Sequence, residues 1–415
     1  MGLARTLAVT LTGLAGHIVE VEAHAAQGLP GFTLVGLPDA AVRESRERVR
    51  AALSTCGVTW GEQRLTVNLS PADLRKTGTG LDLALALAVL GARGRLGRST
   101  AGLLGRTVYI GELGLDGSVH SVRGVLPSVQ AAVAAGIEEI VVAQEAAAEA
   151  ELVPGARVTA VRHVGQLVER YGGRLSAAVA AALEQVTEAA TDDAPTTPPQ
   201  DAEQPDLADV VGQSEARQAL EVAAAGGHHL IMVGPPGTGK TMLADRLPSI
   251  LPPLEQADAV TVTSLHSVAG IFDPARGLIT RPPLRAPHHT ATRAAVVGGG
   301  SGLPRPGDVS LAHRGVLFLD EAPEFSAAGV GSGHHRPGGW ACQLPGRLPA
   351  RPGRQPLPLR QGRRPGPGVH LHLPAAAALL LTPVRSTAGP GRHPGRGQCR
   401  QRSRPRVYRS GRVQR

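Results

Sequence analysis

Gly234-Pro-Pro-Gly-Thr-Gly-Lys-Thr241 is the stretch that most restricts what this chain can fold into. Glycine and proline at this density suit neither a strand nor a helix interior. The apolar run Leu230–Val233 leads into it, and Thr241-Met-Leu-Ala-Asp-Arg-Leu-Pro-Ser-Ile-Leu251 leaves it with a helical pattern. Strand, glycine loop and helix in that order belong to an α/β layer structure with a parallel sheet. Gly234, Pro235, Pro236, Gly237, Thr238, Gly239, Lys240 and Thr241 fit the pattern G-x4-G-K-[S/T] in full. In such a loop the glycines let backbone N–H groups converge on phosphate oxygens. Lys240 carries positive charge to the β/γ oxygens, Thr241 offers a hydroxyl to Mg²⁺, and the following helix aims its dipole at the anion. The expected cofactors are therefore ATP and Mg²⁺. A chance glycine-rich turn would lack the flanking strand and helix.

A second motif, Val316-Leu-Phe-Leu-Asp320-Glu321, carries the matching chemistry. A buried strand delivers Asp320 to its C-terminal end, where it can hold the Mg²⁺ shell. Glu321 beside it can polarise an attacking water, which makes Glu321 and Lys240 the candidate catalytic residues. An apolar run ending in two acids is weak alone, since it is also how a strand leaves a core. Downstream of a complete phosphate loop it is specific.

Residues 1–170 read as a separate α/β domain. Thr6–Leu14 and Gly16–His24 alternate like paired strands, and Asp39–Leu53 is an amphipathic helix with an N-cap candidate. Arg64–Pro71 is a strand, Leu81–Ala92 a helix, and Thr107–Leu115 a strand before a glycine turn. Leu126–Ala143 gives a helix, a glycine stop and a buried strand. Residues 171–205, with the acidic, proline-rich Thr191–Pro205, are a linker. The nucleotide-binding core occupies 206–326. No apolar run is long enough to span a membrane. The start faintly resembles a signal peptide, but Thr6, Thr10 and Thr12 interrupt it, so it reads as a strand of a cytoplasmic protein. Three cysteines argue against a disulfide framework. Aromatic residues make up 2% of the chain, too few for a platform that stacks single-stranded nucleic acid.

Between the two motifs lie Arg281-Pro-Pro-Leu-Arg-Ala-Pro-His-His-Thr290 and the run from Val296 to Phe325. Together with Gly16–Leu53 and Asn68–Leu90, these segments resemble the magnesium-chelatase-like AAA+ ATPases of the YifB/ComM family. The resemblance covers residues 1–326 almost continuously. It implies a ribosomal-S5/Lon-protease-like α+β N-terminal domain followed by a P-loop AAA+ domain. It also implies self-association into hexameric rings and a DNA branch-migration motor in one branch of the family, with no membrane role. The alternatives are a chelatase-type partner ATPase for metal insertion into a tetrapyrrole, ATP-dependent proteolysis, and an inactive truncated product. Lon-type proteolysis needs a Ser activated by a Lys. Gly80 stands where that Ser is expected, and Arg123-Gly-Val-Leu-Pro-Ser128 carries no Lys, so the domain resembles a catalytically empty S5-type fold. Ser70 and Lys76 are expected in solvent. For His288-His289 a loop backbone or subunit contact is expected rather than a metal, since adjacent histidines rarely point to one site.

Beyond Phe325 the family pattern stops. The formal net charge of +9 conceals a split: residues 1–326 hold 26 Lys and Arg against 34 Asp and Glu, while 327–415 hold 17 Arg and neither Lys nor acid. A disordered nucleic-acid-binding arm is one reading of that tail. A shifted frame in GC-rich DNA is another. Gln355–Gly362 read one nucleotide on can encode N-P-C-P-C-G-K-G, like the Asn-bearing sensor segment that should follow the second motif. Pro337–Gln343, Val369–Leu373 and Gly389–Gly397 shift in the same frame and in family order. The hypothesis is a frameshift between Ser326 and Pro337, which the DNA across codons 320–340 tests directly. The tail is expected to be disordered. Sensor and arginine finger would lie beyond the break, so hydrolysis by this chain is expected to be poor.

Overall fold

The computed structural model describes residues 2–58, 63–97, 100–175, 179–180, 205–300, 304–322, 370–372 and 379–381. The linker expected up to 205 falls largely outside them, as does the tail apart from two three-residue strands.

Strands β1 (Gly2–Thr12) and β2 (Ala15–Gln27) form an antiparallel hairpin in register from Gly2↔Ala25 to Thr12↔Ala15. With β3 (Gly31–Val35), β4 (Gln63–Ser70), β5 (Thr107–Ile110), β6 (Glu139–Ala143) and β7 (Arg157–Val161) they make one mixed sheet. Its order is β3-β4-β2-β1-β5-β6-β7. The strands β1, β5, β6 and β7 run parallel to one another. Inner parallel strands are covered on both faces, and β5 and β6 are accordingly almost wholly buried. The period of two then assigns each residue to a layer. Ala4 and Ala8 of β1, Tyr109 of β5, and Val141 and Ala143 of β6 enter one core. Val9, Leu11, Val108, Ile110, Ile140 and Val142 enter the other.

The first core is closed by helices α1 (Ala40–Thr55) and α2 (Asp82–Ala92). Asp39 caps α1 by accepting from the Val42 N–H at 2.8 Å, as its sequence position implies. Every residue of α2 except Gly91 is buried, as befits a helix apolar on all sides. Its one charge, Asp82, is wholly buried and takes two bonds from the Arg48 guanidinium, at 2.6 and 3.0 Å. The second core is closed by α3 (Val125–Ala134). Helix α4 (Val164–Arg170) completes the first.

Lys76 departs from expectation. It is wholly buried rather than solvated, and its ammonium donates to the Pro71 carbonyl. The chain around it is pinned by Asp39 N–H to Lys76 O at 3.0 Å and Lys76 N–H to Leu37 O at 3.2 Å. Burial lowers the pKa of this amine, against the attraction of Asp73. A long aliphatic stem can be buried when its tip finds a carbonyl, and that partner is set by tertiary contact.

The second half begins with α5 (Ser214–Gly226), β8 (Ile231–Val233) and α6 (Lys240–Asp245). The helical pattern after the loop runs on to Leu251, but α6 ends at Asp245 and gives way to a 3-10 turn at Leu247–Ile250. Pro248 cannot donate to a helical ladder, which accounts for the change. Then come α7 (Gln256–Ala269), β9 (Leu284–Arg285) and β10 (Val316–Phe318). Strands β9 and β10 are parallel, with Leu284↔Val316 and Arg285↔Leu317. Leu220, Leu230, Leu243, Leu247, Val316 and Phe318 share a core. His370–His372 and Leu379–Leu381 lie antiparallel to β8 and β10.

Helix α7 touches both halves. Val268 enters the core built on α3, and the Ser267 hydroxyl donates to the buried Glu149 carboxylate at 2.5 Å. On its other side His266 Nε2 meets the Leu311 carbonyl at 3.1 Å, and Asp258 pairs with Arg314 at 3.1 Å. Leu311 and Arg314 lead into β10. No helix among the described residues is long and apolar enough to cross a membrane.

Candidate functional site

The loop after β8 has the backbone that its glycines permit. Gly237 and Gly239 have φ of 80° and 82°, in the left-handed region that other residues avoid. Thr238 between them donates its hydroxyl to the Pro235 carbonyl at 2.9 Å. The first ladder bond of α6 is Leu243 N–H to Gly239 O at 3.0 Å. Among the described residues, the N–H groups of Gly237 and Gly239 meet no acceptor, and those of Lys240 and Thr241 stand in the first turn of α6, ahead of its ladder. Successive unsatisfied donors around alternating left- and right-handed residues form a concavity that suits an anion. These residues therefore fit a phosphate chain.

Lys240, Thr241, Asp320 and Glu321 come together around this concavity from two strand ends. The Lys240 ammonium donates to the carbonyls of Gly234 and Pro235 at 3.0 and 3.1 Å, folded back on its own loop. Thr241 Oγ1 stands 3.3 Å from Asp320 Oδ2, although the two are 79 residues apart in sequence. A hydroxyl and a carboxylate oxygen at this separation suit Mg²⁺, which takes one or two protein ligands and completes its shell with phosphate oxygens and water. Asp320 Oδ1 accepts the Glu321 N–H at 3.0 Å. Both acids are exposed, and Glu321 has φ of 52°, unusual for a residue with a side chain.

Two further residues join the site that the motifs do not contain. Gln213, also left-handed at φ 52°, donates its side-chain amide to the Thr238 carbonyl at 3.1 Å and so braces the loop from the start of α5. His289 Nδ1 lies 2.9 Å from Glu321 Oε2. Its neighbour His288 contacts Thr290 Oγ1 at 2.8 Å, and the two imidazole rings lie 4.1 Å apart at 34°. The adjacent rings thus pack against each other but meet different partners, His288 a neighbouring hydroxyl and His289 the Glu321 carboxylate, and it is the side chain of His289 rather than its backbone that makes the contact. The contact follows from the strand register, which only the fold reveals. Arg285 pairs with Leu317, so His289 and Glu321 each stand four residues beyond paired positions of parallel neighbours. Nearby, burial raises the pKa of Asp308 against the pull of Arg285, 4.0 Å away.

In the N-terminal half, a Cβ built on Gly80 would stand 3.5 Å from Val122, so the segment around Gly80 does meet the segment leading to Arg123. Ser128 donates to the Gly124 carbonyl at 2.7 Å, and Lys76 is engaged with Pro71. Neither residue is presented as half of a Ser–Lys pair.

Comparison with known proteins covers both halves. A family profile described as magnesium chelatase, subunit ChlI, matches residues 206–332, and one described as subunit ChlI of Mg-chelatase matches 21–146. An uncharacterized protein of Mycobacterium tuberculosis is 52% identical over 330 residues, covering 80% of this chain and 62% of the relative. The competence protein ComM of Haemophilus influenzae is 39% identical over 325 residues, with 78% and 61% covered. The uncharacterized protein YifB of Escherichia coli is 41% identical over 307 residues, with 74% and 57% covered. The chain therefore spans about three fifths of the length of these relatives. The matched segments include the phosphate loop, the paired histidines and the two acids, and on that ground the chain belongs to the magnesium-chelatase-like family of YifB and ComM.

Proposed function

We propose that residues 206–322 form a P-loop ATP-binding site of AAA+ type, and that the concavity of unsatisfied N–H groups from Gly237 to Thr241 carries this reading. Those donors and Lys240 would hold the β- and γ-phosphates, displacing the carbonyls that Lys240 now binds. Thr241 and Asp320 would hold Mg²⁺, which when bound neutralises charge on the phosphates. Glu321 would orient and deprotonate the attacking water. The test is equilibrium binding of a fluorescent ATP analogue to the 415-residue chain with and without Mg²⁺. Lys240→Ala should weaken binding on the order of tenfold or more, a lost charge-assisted contact. Asp320→Asn should remove the Mg²⁺-dependent part. Equal affinity in all three proteins would sink the assignment.

A motor reading of this chain, as a cytoplasmic, ring-forming ATPase that remodels branched DNA with a ribosomal-S5/Lon-like domain at residues 1–170, draws support from its similarity to a protein described as competence protein ComM. The chelatase-type partner role draws support from the two profile descriptions. DNA-stimulated hydrolysis by a chain with the family-like frame restored after Ser326 would separate the two roles. It should be measured across a salt series, because affinity for DNA without a salt slope carries little information. The family match ends at residue 332, before most of the arginine-rich tail.

A further inference from the structure

Two stretches of the N-terminal half are rich in arginine and nearly free of acid. Gly91–Arg106 holds four Arg and no Asp or Glu, and Glu169–Leu175 holds Arg170 and Arg174 beside one acid. The fold joins them at one end of the first core. The Gly97 N–H donates to the Tyr171 carbonyl at 2.7 Å, and a Cβ on Gly173 would stand only 2.7 Å from the Arg95 carbonyl oxygen. Leu104 folds back to within 3.2 Å of a Cβ built on Gly91, which brings Arg106 to the same end. Arg95, Arg106, Arg170 and Arg174 are exposed, and Arg93 is half-buried with its Nε on Gln63 Oε1 at 3.0 Å. Burial lowers the Arg93 pKa and the charge of Arg95 lowers it further, so like charges sit side by side.

Other arginines of this half are matched by acids. Arg5 pairs with Glu20 and Glu22 at 3.2 and 2.6 Å, and Arg157 with Glu138 and Glu139 at 2.8 and 2.7 Å. Among the described residues no carboxylate pairs with Arg106, Arg170 or Arg174. A helix C-terminus favours a cation in its last turn, which accounts for Arg170 but asks for neither Arg106 nor Arg174.

We infer that these arginines form a site for the phosphodiester backbone of double-stranded nucleic acid, separate from the phosphate loop and standing without the ATP-site reading. The guanidinium fork matches phosphate oxygens in pairs. The one aromatic of the two stretches, Tyr171, is buried with its hydroxyl 2.7 Å from that of Tyr109, so it offers no face for an unpaired base. An anionic membrane would call for a broad apolar helical face beside the charge, and Ala101–Leu104 is a single turn. Gly2, at the start of β1, packs on the Ala92 carbonyl, whereas Leu11 shares a core with Val268 of α7. At a rise of about 3.3 Å per residue, the arginine end lies about 30 Å along β1 from the seat of α7. The surface sits within residues 1–326, whose overall balance is acidic, so the net charge conceals it.

Fluorescence anisotropy of a labelled DNA duplex, without nucleotide and across a salt series, tests the site on the 415-residue chain. In a triple variant with Arg106→Gln, Arg170→Gln and Arg174→Gln, the slope of log affinity against log salt should shrink by about two to three. Affinity at low salt should fall on the order of tenfold or more, alike for unrelated sequences, since phosphates carry no base identity. Arg5→Gln with Arg157→Gln, which removes charge already matched by carboxylates, should leave the slope in place. Equal slopes in the wild type and the triple variant would assign duplex binding to the arginine-rich tail and overturn the site. A triple variant that keeps its duplex slope but loses binding to phosphatidylserine vesicles also overturns it, in favour of a membrane surface. Phenylglyoxal modification of the wild type, mapped by mass spectrometry, removes any dependence on how the variant folds. Duplex should protect Arg106, Arg170 and Arg174 while Arg5 stays reactive, and undiminished modification of the three overturns the site.

Discussion

Asp82 and Asp320 are the same residue in opposite surroundings. Asp82 has no exposed surface, and its oxygens take two bonds from Arg48 and one from the Leu113 N–H at 3.3 Å. Asp320 stands exposed at a strand end, with one oxygen on a neighbouring N–H and the other 3.3 Å from a hydroxyl. The first charge is spent on the fold, while the second retains acceptor capacity for a ligand. The same contrast separates Lys76, buried against a carbonyl, from Lys240, which is folded back on a loop with unsatisfied donors beside it. In this chain the N-terminal half uses its polar groups to fix structure. The second half leaves them poised at an edge.

The comparison breaks first at the aspartates. Asp82→Ala strands the Arg48 guanidinium in a largely buried site, so it should cost about 3–5 kcal/mol, read as a lower urea midpoint for the N-terminal half. Asp320→Ala should change stability by less than about 0.5 kcal/mol, the usual range for a surface site, while removing Mg²⁺-dependent binding of nucleotide. Equal destabilisation by the two would show that Asp320 is structural as well.

Next in size is the contact where the halves meet. Glu149 accepts from the Leu126 N–H at 2.7 Å and from Ser267 at 2.5 Å. Glu149→Ala leaves a buried N–H without its acceptor and should cost about 1–3 kcal/mol, against about 1 kcal/mol for Ser267→Ala. Burial raises the Glu149 pKa, against the bonds from Ser267 and Leu126. A carboxyl with a raised folded value favours the folded state in its protonated form. Its contribution is therefore complete below the ordinary glutamate value and fades as pH rises through the raised one. Hydrogen exchange in α3 and α7 should slow on acidification through that window, and Glu149→Gln should remove the change.

The two halves also differ in how far their sequences could be read. The sheet and both its cores follow from strands whose alternation assigns each residue to a layer, and α2 follows from an uninterrupted apolar run. The phosphate loop was legible because its chemistry is local: contiguous glycines, a lysine and a hydroxyl need no distant partner. Lys76 was not legible, because a lone lysine looks alike whether its tip finds water or the Pro71 carbonyl. The pairing of His289 with Glu321 depends on the register of strands two and three residues long with thirty residues between them, a relation that no local pattern encodes. The shortening of α6 could have been read from Pro248, which interrupts the ladder that the apolar spacing would continue.

The smallest effect sets the pH response of the second half against that of Glu149. His266 is half-buried between α7 and Leu311, and burial lowers its pKa while its bond to the Leu311 carbonyl opposes the shift. His313 is lowered chiefly by burial and then by Arg314, with Asp258 opposing. A base whose folded value lies below its unfolded value stabilises the fold when neutral. That contribution is complete above the ordinary histidine value near 6.5 and is lost as pH falls through the depressed one. Acidification from neutrality should therefore loosen β10 and the segment before it as these imidazoles take up protons, whereas the same acidification favours the protonated Glu149. Urea midpoints for the second half, taken at pH 7 and at mildly acidic pH, should fall in the wild type and fall less in His266→Gln. In the double variant His266→Gln with His313→Gln the midpoints should barely move. A double variant that keeps the full wild-type response would place the acid sensitivity elsewhere. It would also remove the distinction drawn here between a half that tightens in acid and one that loosens.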